Sequence, residues 1–257
     1  MTAVDAPPLG RALAARLAAS GFDVFGAAPI VTYDALVGPE HALAPAHPDL
    51  VTALVVGNGG GALWRAYRRH VTAHPADAAV ADPIDAFTRR TVDDAVRSTL
   101  GAAGVPHRVL YAFRFPADPV SFRRLGEAAG LGAASRLGLL LHPVYGPWMA
   151  LRAAVLVPFP FDAARPADGF DPCPTCVEQA CAAACPAGAV DARGWDVPRC
   201  ARHRARPDDP CAPRCHARFD CVVGREHRYP GEALAYHQQR AREPLLAFAR
   251  GSGEPRE

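Results

Sequence analysis

The chain has no lysine: all 28 of its basic residues are arginine, in a length of 257. That absence excludes a Schiff-base lysine, a phosphate-gripping lysine of the Walker type and a lysine general base. No apolar run reaches the roughly 18 residues that a membrane span needs. Met1–Asp5 shows no basic stretch leading into an apolar one, so no signal peptide is expected, and the chain is expected to be cytoplasmic and not membrane-bound. A net charge of +2 is too small to imply a nucleic-acid partner by itself. Proline (26) and glycine (22) stay below the share that marks low-complexity disorder. Half the residues are hydrophobic, enough for a real core in one or two domains. The last absence is the most telling. No cysteine occurs in the first 172 residues, and all eight lie between Cys173 and Cys221.

A reducing compartment makes clustered cysteines metal ligands rather than disulfides. The order is Cys173-x2-Cys176-x4-Cys181-x3-Cys185-Pro186, then Cys200, Cys211-x3-Cys215 and Cys221. A tight run of three cysteines with a fourth three residues on, followed by proline, is the bacterial ferredoxin signature. Three thiolates from one loop hold three corners of a cubane, and the fourth points away to the other cluster. Here the second gap is four residues rather than two, a slightly longer loop. The crossover predicts one [4Fe-4S] cluster on Cys173, Cys176, Cys181 and Cys221, and a second on Cys185, Cys200, Cys211 and Cys215. Zinc sites and a single cluster remain alternatives, because Cys-x2-Cys also opens a zinc ribbon.

The cysteine-free part alternates helices and strands. Leu9, Leu13 and Leu17 repeat at i+4 behind Pro7-Pro8 and before Gly21, predicting a helix. Phe22–Phe25 reads as a short strand and Val51–Val56 as a buried one. The latter ends at Gly57-Asn58-Gly59-Gly60-Gly61, which could present backbone N–H groups to an anion but equally suits a plain tight turn. Helices follow from Ala62 to Val71 and from Asp82, the second with Ile84, Phe87, Thr91 and Ala95 on one face. Val109–Phe113 predicts a strand, 122–129 a helix, and Leu137–Leu141 with Met149–Val157 a hairpin-like pair. The expected class is α+β. No catalytic triad or His-Glu-x-x-His motif is present, so Asp82, Asp85 and His142 read as capping or satisfied polar groups.

Gly130-Leu131-Gly132 through Gly138-Leu139-Leu140-Leu141-His142-Pro143, then Tyr145-Gly146-Pro147-Trp148-Met149-Ala150-Leu151, resembles epoxyqueuosine reductases and the CblC cobalamin-processing family. The CblC likeness also takes in Gly21–Phe25, Tyr33–Leu36, Asp82-Pro83-Ile84-Asp85 and Arg152. The cysteine region resembles that of epoxyqueuosine reductases and reductive dehalogenases. The resemblance implies a nitroreductase-like α/β sandwich that holds cobalamin over 1–165, a ferredoxin-like two-cluster domain over 166–230, and a C-terminal helix and tail over 231–257. It implies that Gly138 and Gly146 let backbone approach a flat macrocycle, that His142, Tyr145 and Trp148 line it, and that Arg152 binds an anionic group. Where the reductases carry an acidic proton donor, this chain has Pro116, with Asp118 two residues away as a weak catalytic candidate. A GKN-like segment is replaced by Ala133-Ala134-Ser135-Arg136. Both departures speak against a queuosine substrate.

Between Arg199 and Arg228 eight arginines face four acids. They could dock tRNA or an acidic electron donor, but the reading preferred is a solvated surface that offsets anionic clusters. After Gly231 a helix broken near Pro244 is expected, with a disordered end over 251–257. The expected function is an iron–sulfur oxidoreductase that takes electrons from a reduced ferredoxin or flavodoxin. It passes them to a corrinoid or to a substrate in the N-terminal domain. The alternatives are a ferredoxin-type carrier without corrinoid, and an FMN-dependent reductase.

Overall fold

The computed structural model describes residues 6–251. In chain order these form α1 (Ala6–Ala19), β1 (Val24–Pro29), α2 (Ile30–Asp34), β2 (Thr52–Gly59), α3 (Ala62–Ala73), α4 (Pro83–Val96), β3 (Arg108–Tyr111), α5 (Phe122–Ala128), β4 (Ala133–Ala134) and β5 (Leu140–Leu141). There follow β6 (Met149–Val157), α6 (Ala180–Ala183), β7 (Val190–Asp191), β8 (Gly194–Trp195), α7 (Val197–Arg204), α8 (His216–Phe219), α9 (Gly231–Arg240) and α10 (Arg242–Gly251). The chain divides into two units. One takes the chain up to Ala133 together with Met149–Phe170, and the other takes Ala134–Trp148 together with the chain from Asp171.

The first unit is built on an antiparallel sheet of order β1-β2-β6-β3. Its two central strands are the two long apolar runs, paired Leu54 to Val155 and Val55 to Ala154. Every residue of β2 is buried, which explains why the run is continuously apolar rather than alternating. Helix α1 buries Leu13 and Leu17 completely. Helix α4 buries Ile84, Phe87, Thr88, Val92, Ala95 and Val96, so the inward face runs through Thr88 and Val92, with Thr91 at its half-buried margin. Phe22 stacks on Phe87 with ring centroids 6.4 Å apart.

Three local expectations are corrected here. The first strand starts at Val24, not Phe22, because the Asp23 carboxylate turns back to accept the Gly59 N–H at 2.8 Å. The glycine run after Val56 is not a loop: β2 continues through Gly57-Asn58-Gly59 with a bulge at Val56/Gly57. A Cβ on Gly57 would lie 2.7 Å from the Ala150 carbonyl oxygen, so glycine there serves close strand approach. With the Gly59 N–H taken by Asp23, the run does not form an anion cradle. Finally, Leu137–Leu141 makes no hairpin with β6, which pairs with β2 on one side and β3 on the other.

The second unit has little regular structure. Its hairpin β7–β8 pairs Val190 with Trp195, and its helices run from four to ten residues. Asp196 caps α7, accepting the Arg199 N–H at 2.9 Å. The C-terminal helix breaks at Ala241, and Pro244 sits in the first turn of α10, where its missing N–H costs nothing. Of the tail expected over 251–257, Gly251 closes α10 instead, and residues 252–257 lie outside the described residues. Among the described residues no helix is long and apolar enough to cross a membrane.

Candidate functional site

Space sorts the eight cysteines into two fours. A cavity of about 190 Å³ is lined by Cys185, Cys200, Cys211 and Cys215, with Leu137, Leu139 and His203 among its walls. A smaller cavity of about 30 Å³ is lined by Cys173, Cys176, Cys181 and Cys221, with Arg136 and Leu141. All eight are free thiols.

The local backbone makes this sorting. Gln179, at φ +43°, turns the chain out of the Cys173–Cys176 loop into α6, which carries Cys181. Helix α6 stops before Cys185, and Pro186 keeps it from continuing. Cys185 therefore leaves toward the larger cavity, where its sulfur accepts the Ala189 N–H at 3.3 Å. Cys200 rides on α7, Cys215 stands at the start of α8, and Cys221 follows its end.

Around Cys211 the wall is tied by a buried ion pair. Arg204 and Asp209 meet at 3.2 Å with side chains only 4% and 6% exposed. Asp209 also accepts the Cys211 N–H at 2.9 Å, and Gln238 on α9 donates to the Cys211 carbonyl at 2.8 Å. Arg242 on α10 donates to the Arg204 carbonyl at 3.1 Å. Breaking such a pair leaves an uncompensated buried charge, so these residues hold the cavity rather than react in it.

Burial raises the thiol pKa values of Cys181, Cys200, Cys215 and Cys221. Cys211 is pushed up to about 11 by burial and by the neighbouring Cys215. Without a cation these thiols keep their protons at neutral pH, and ligation must expel them. A zinc ion needs four sulfurs about 2.3 Å from one point. No set of side chains converges on one ion among the described residues, and a cubane, which offers a separate iron to each thiolate, does not require it. Each cavity also has one sealed polar atom without a partner: His203 Nε2 in the larger and Arg136 Nη1 in the smaller. Buried polar atoms are rarely left without a partner, and for the guanidinium donor of Arg136 cluster sulfurs supply acceptors. The donor sets therefore fit one [4Fe-4S] cluster per cavity.

The loop expected to face a macrocycle is largely used up within the second unit. His142 Nδ1 accepts the N–H groups of Val144 and Tyr145 at 3.1 and 3.3 Å, and its ring lies 4.9 Å from that of Tyr145. Trp148 has no exposed surface. Its ring packs on Phe219 and Tyr229, and the Arg218 guanidinium lies 4.6 Å from its centroid. As a corrinoid-lining side chain Trp148 is therefore corrected to a core residue, because no face is open to a ligand. Gly138 (φ +70°) and Gly146 (φ +56°) are glycines for the chain's own sake. A Cβ on Gly146 would sit 2.1 Å from the Val223 carbonyl oxygen, and one on Gly138 2.8 Å from the Trp195 ring. Replacing Gly146 with alanine is expected to cost at least about 2 kcal/mol. Thermal unfolding of the variant checks this, and an unchanged midpoint refutes it.

In the first unit Arg152 donates to Asn58 Oδ1 at 3.0 Å. Asp118, the weak catalytic candidate, is 4% exposed, accepts the Tyr111 N–H at 3.3 Å and lies 3.4 Å from Arg114 Nε and 3.9 Å from Arg108. A carboxylate fixed between two guanidinium groups and a backbone donor is a structural clamp, not a poised acid. Of the eight arginines between Arg199 and Arg228, six are spent internally. Arg204, Arg206 and Arg225 pair with acids, Arg218 and Arg228 donate to backbone carbonyls, and Arg214 lies over the Phe219 ring. Sequence reading missed His203, Gln238 and the Arg204–Asp209 pair. It saw Arg136 only as a departure from a motif. Nothing in spacing marks a buried unpaired atom, although Arg136-x2-Leu139-x-Leu141 does hint at a run facing two sides.

No family model matches the chain, and no curated protein does. Solved structures do. An epoxyqueuosine reductase matches with a TM-score of 0.57 at 13% identity, covering 89% of this chain and 68% of that one. The C. elegans B12-trafficking protein CblC matches at 0.58 and 17%, covering 94% of this chain and 95% of that one. The reductive dehalogenase NpRdhA matches at 0.54 and 18%, over 93% of this chain but only 35% of its own. The chain is thus built on the fold that an epoxyqueuosine reductase, a B12-trafficking protein and a reductive dehalogenase have in common.

Proposed function

We propose that this protein is an iron–sulfur oxidoreductase in which two [4Fe-4S] clusters pass single electrons to a corrinoid or a substrate held by the first unit. The observation that carries the reading is the partition of eight cysteines into two cavity-lining fours, the crossed pattern that two-cluster ferredoxins use. The fold supports the rest, since the neighbours are reductases and a B12-trafficking protein. Cys173, Cys176, Cys181 and Cys221 would hold one cluster, and Cys185, Cys200, Cys211 and Cys215 the other. A bound cluster supplies one-electron chemistry at a potential set by charge, hydrogen bonds to its sulfurs and solvent exposure. This chain's residues exclude water with the buried Leu137 and Leu141, fix Cys211 through Asp209 and Gln238, and donate to Cys185 from the Ala189 N–H.

A second reading, an electron carrier without corrinoid, is favoured by one observation: Trp148, Gly138 and Gly146 are committed to contacts inside the second unit. One experiment separates the two. Protein purified without oxygen is expected to carry about eight irons per chain and a visible absorbance that dithionite bleaches. Incubated with hydroxocobalamin and desalted, it retains the corrinoid on the first reading and loses it on the second. Zinc in place of iron overturns both.

A further inference from the structure

Three arginines line the two cysteine cavities, and two of them are already spent. In the larger cavity Arg204 is neutralised by Asp209 at 3.2 Å. Arg218 gives both Nε and Nη2 to the Pro147 carbonyl, at 3.1 and 2.6 Å, and lies over the rings of Trp148 and Tyr229. Arg136, in the smaller cavity, differs from both. Among the described residues its Nη1, sealed from solvent, has no hydrogen-bond partner, and no acidic residue among them lines that cavity.

A guanidinium cannot shed its charge in a protein, and a buried N–H left unmade costs about 1–3 kcal/mol, more when it is charged. The group that fills this cavity must therefore offer an acceptor, and an anionic one satisfies both the donor and the charge. A cubane with four thiolates is such a group: its sulfurs accept hydrogen bonds, and the whole carries net negative charge. Adding an electron makes it more negative, so a fixed cation and a charge-assisted hydrogen bond favour the reduced form.

Resting on the two-cluster reading above, we propose that Arg136 sets the reduction potential of the cluster on Cys173, Cys176, Cys181 and Cys221 by donating its free N–H to a sulfur of that cluster. The step it biases is a simple one. One electron from an external reductant enters the cluster, which is reduced while the reductant is oxidised. No protein bond breaks and no proton is taken up. Arg136 acts as a positioning residue for charge, raising the midpoint of one cluster and leaving the other untouched. The sealed polar atom of the larger cavity, His203 Nε2, lies at the other set of cysteines.

The test is an anaerobic redox titration of the loaded full chain, followed by electron paramagnetic resonance, for the native protein, R136M and R136K. In R136M one midpoint is expected to fall by at least tenfold in the reduction equilibrium constant, about 59 mV for one electron, with the second midpoint and the iron content unchanged. R136K keeps the cation without the guanidinium fork, so it should move the same midpoint in the same direction by less. Two unmoved midpoints at full iron content overturn the proposal, as do two midpoints that move together. Should R136M fail to load, R136K decides alone, and an unshifted midpoint in it overturns the proposal. The underlying reading fails differently: native protein without two cubanes shows itself in the iron content and the resonance spectrum before any variant is made.

Discussion

Replacing Cys185 with alanine is expected to remove one cluster and leave the other, halving the iron content from about eight to about four atoms per chain. The informative variants are the doubles. C185A/C200A should lose no more iron than C185A, because both cysteines line the larger cavity. C181A/C185A should lose nearly all of it, although the two residues stand only four apart in sequence, because Cys181 lines the smaller cavity and Cys185 the larger. The cause is the stop of α6 ahead of Cys185-Pro186, which sends consecutive motif cysteines to opposite sides. A sequential arrangement, with Cys173 to Cys185 in one set and Cys200 to Cys221 in the other, gives the reverse outcome. C181A/C185A would then keep half the iron and C185A/C200A none. Iron and acid-labile sulfide assays read the difference.

On the two-cluster reading, stripping the clusters is the second large effect. The first unit has a four-stranded sheet whose central strand β2 is buried throughout and whose other central strand, β6, is buried from Ala153 to Val157. The second has two-residue strands and mostly short helices around its thiols. Metal binding can account for on the order of 10 kcal/mol of folding free energy in small metal-held domains, and the second unit has little else of that size. Apo protein is expected to unfold in two calorimetric steps, the earlier belonging to the second unit, while the loaded protein keeps that unit folded to much higher temperature. A single apo transition at the loaded temperature refutes this. The apo protein also has a defined pH response. Cys211 has its pKa raised from 9.0 to about 11, so the folded state favours the protonated thiol. Its contribution is intact below about pH 9 and is lost as pH rises through about 11. Apo stability thus falls on the alkaline side. Cluster assembly, which expels these protons, improves over the same rise.

How much of this was legible in the residues follows from range. The division of the cysteines between two cavities could be read from spacing, because short loops between cysteines leave few ways to arrange them, and Cys-Pro marks where the helix ends. Helices α1 and α4 showed in their apolar periodicity, and β2 and the Ala153–Val157 end of β6 in runs too apolar to be half-exposed. What escaped depends on contacts distant in sequence. Gly57-Asn58-Gly59 looked like a turn, yet it is strand because β6 passes close beside it, with Ala150 O at the Gly57 backbone. Trp148 looked like a ligand-facing aromatic, yet Arg218, Phe219 and Tyr229, some 70 residues on, enclose it. Asp118 is the local exception: it resembled a displaced acid, yet Arg114, four residues before it, and nearby Arg108 close around its carboxylate.

The placement of Ala134–Trp148 with the cysteine unit bears on inheritance. Leu137 and Leu139 belong to the wall of the larger cysteine cavity and Arg136 and Leu141 to that of the smaller, yet they reach the ribosome exit before β6, ahead of the first cysteine. Recombination that appended or exchanged the chain after Phe170 as a cassette would separate each centre from part of its own lining. Exchange of the cysteine region that keeps both cavities lined therefore requires Ala134–Trp148 to move with it.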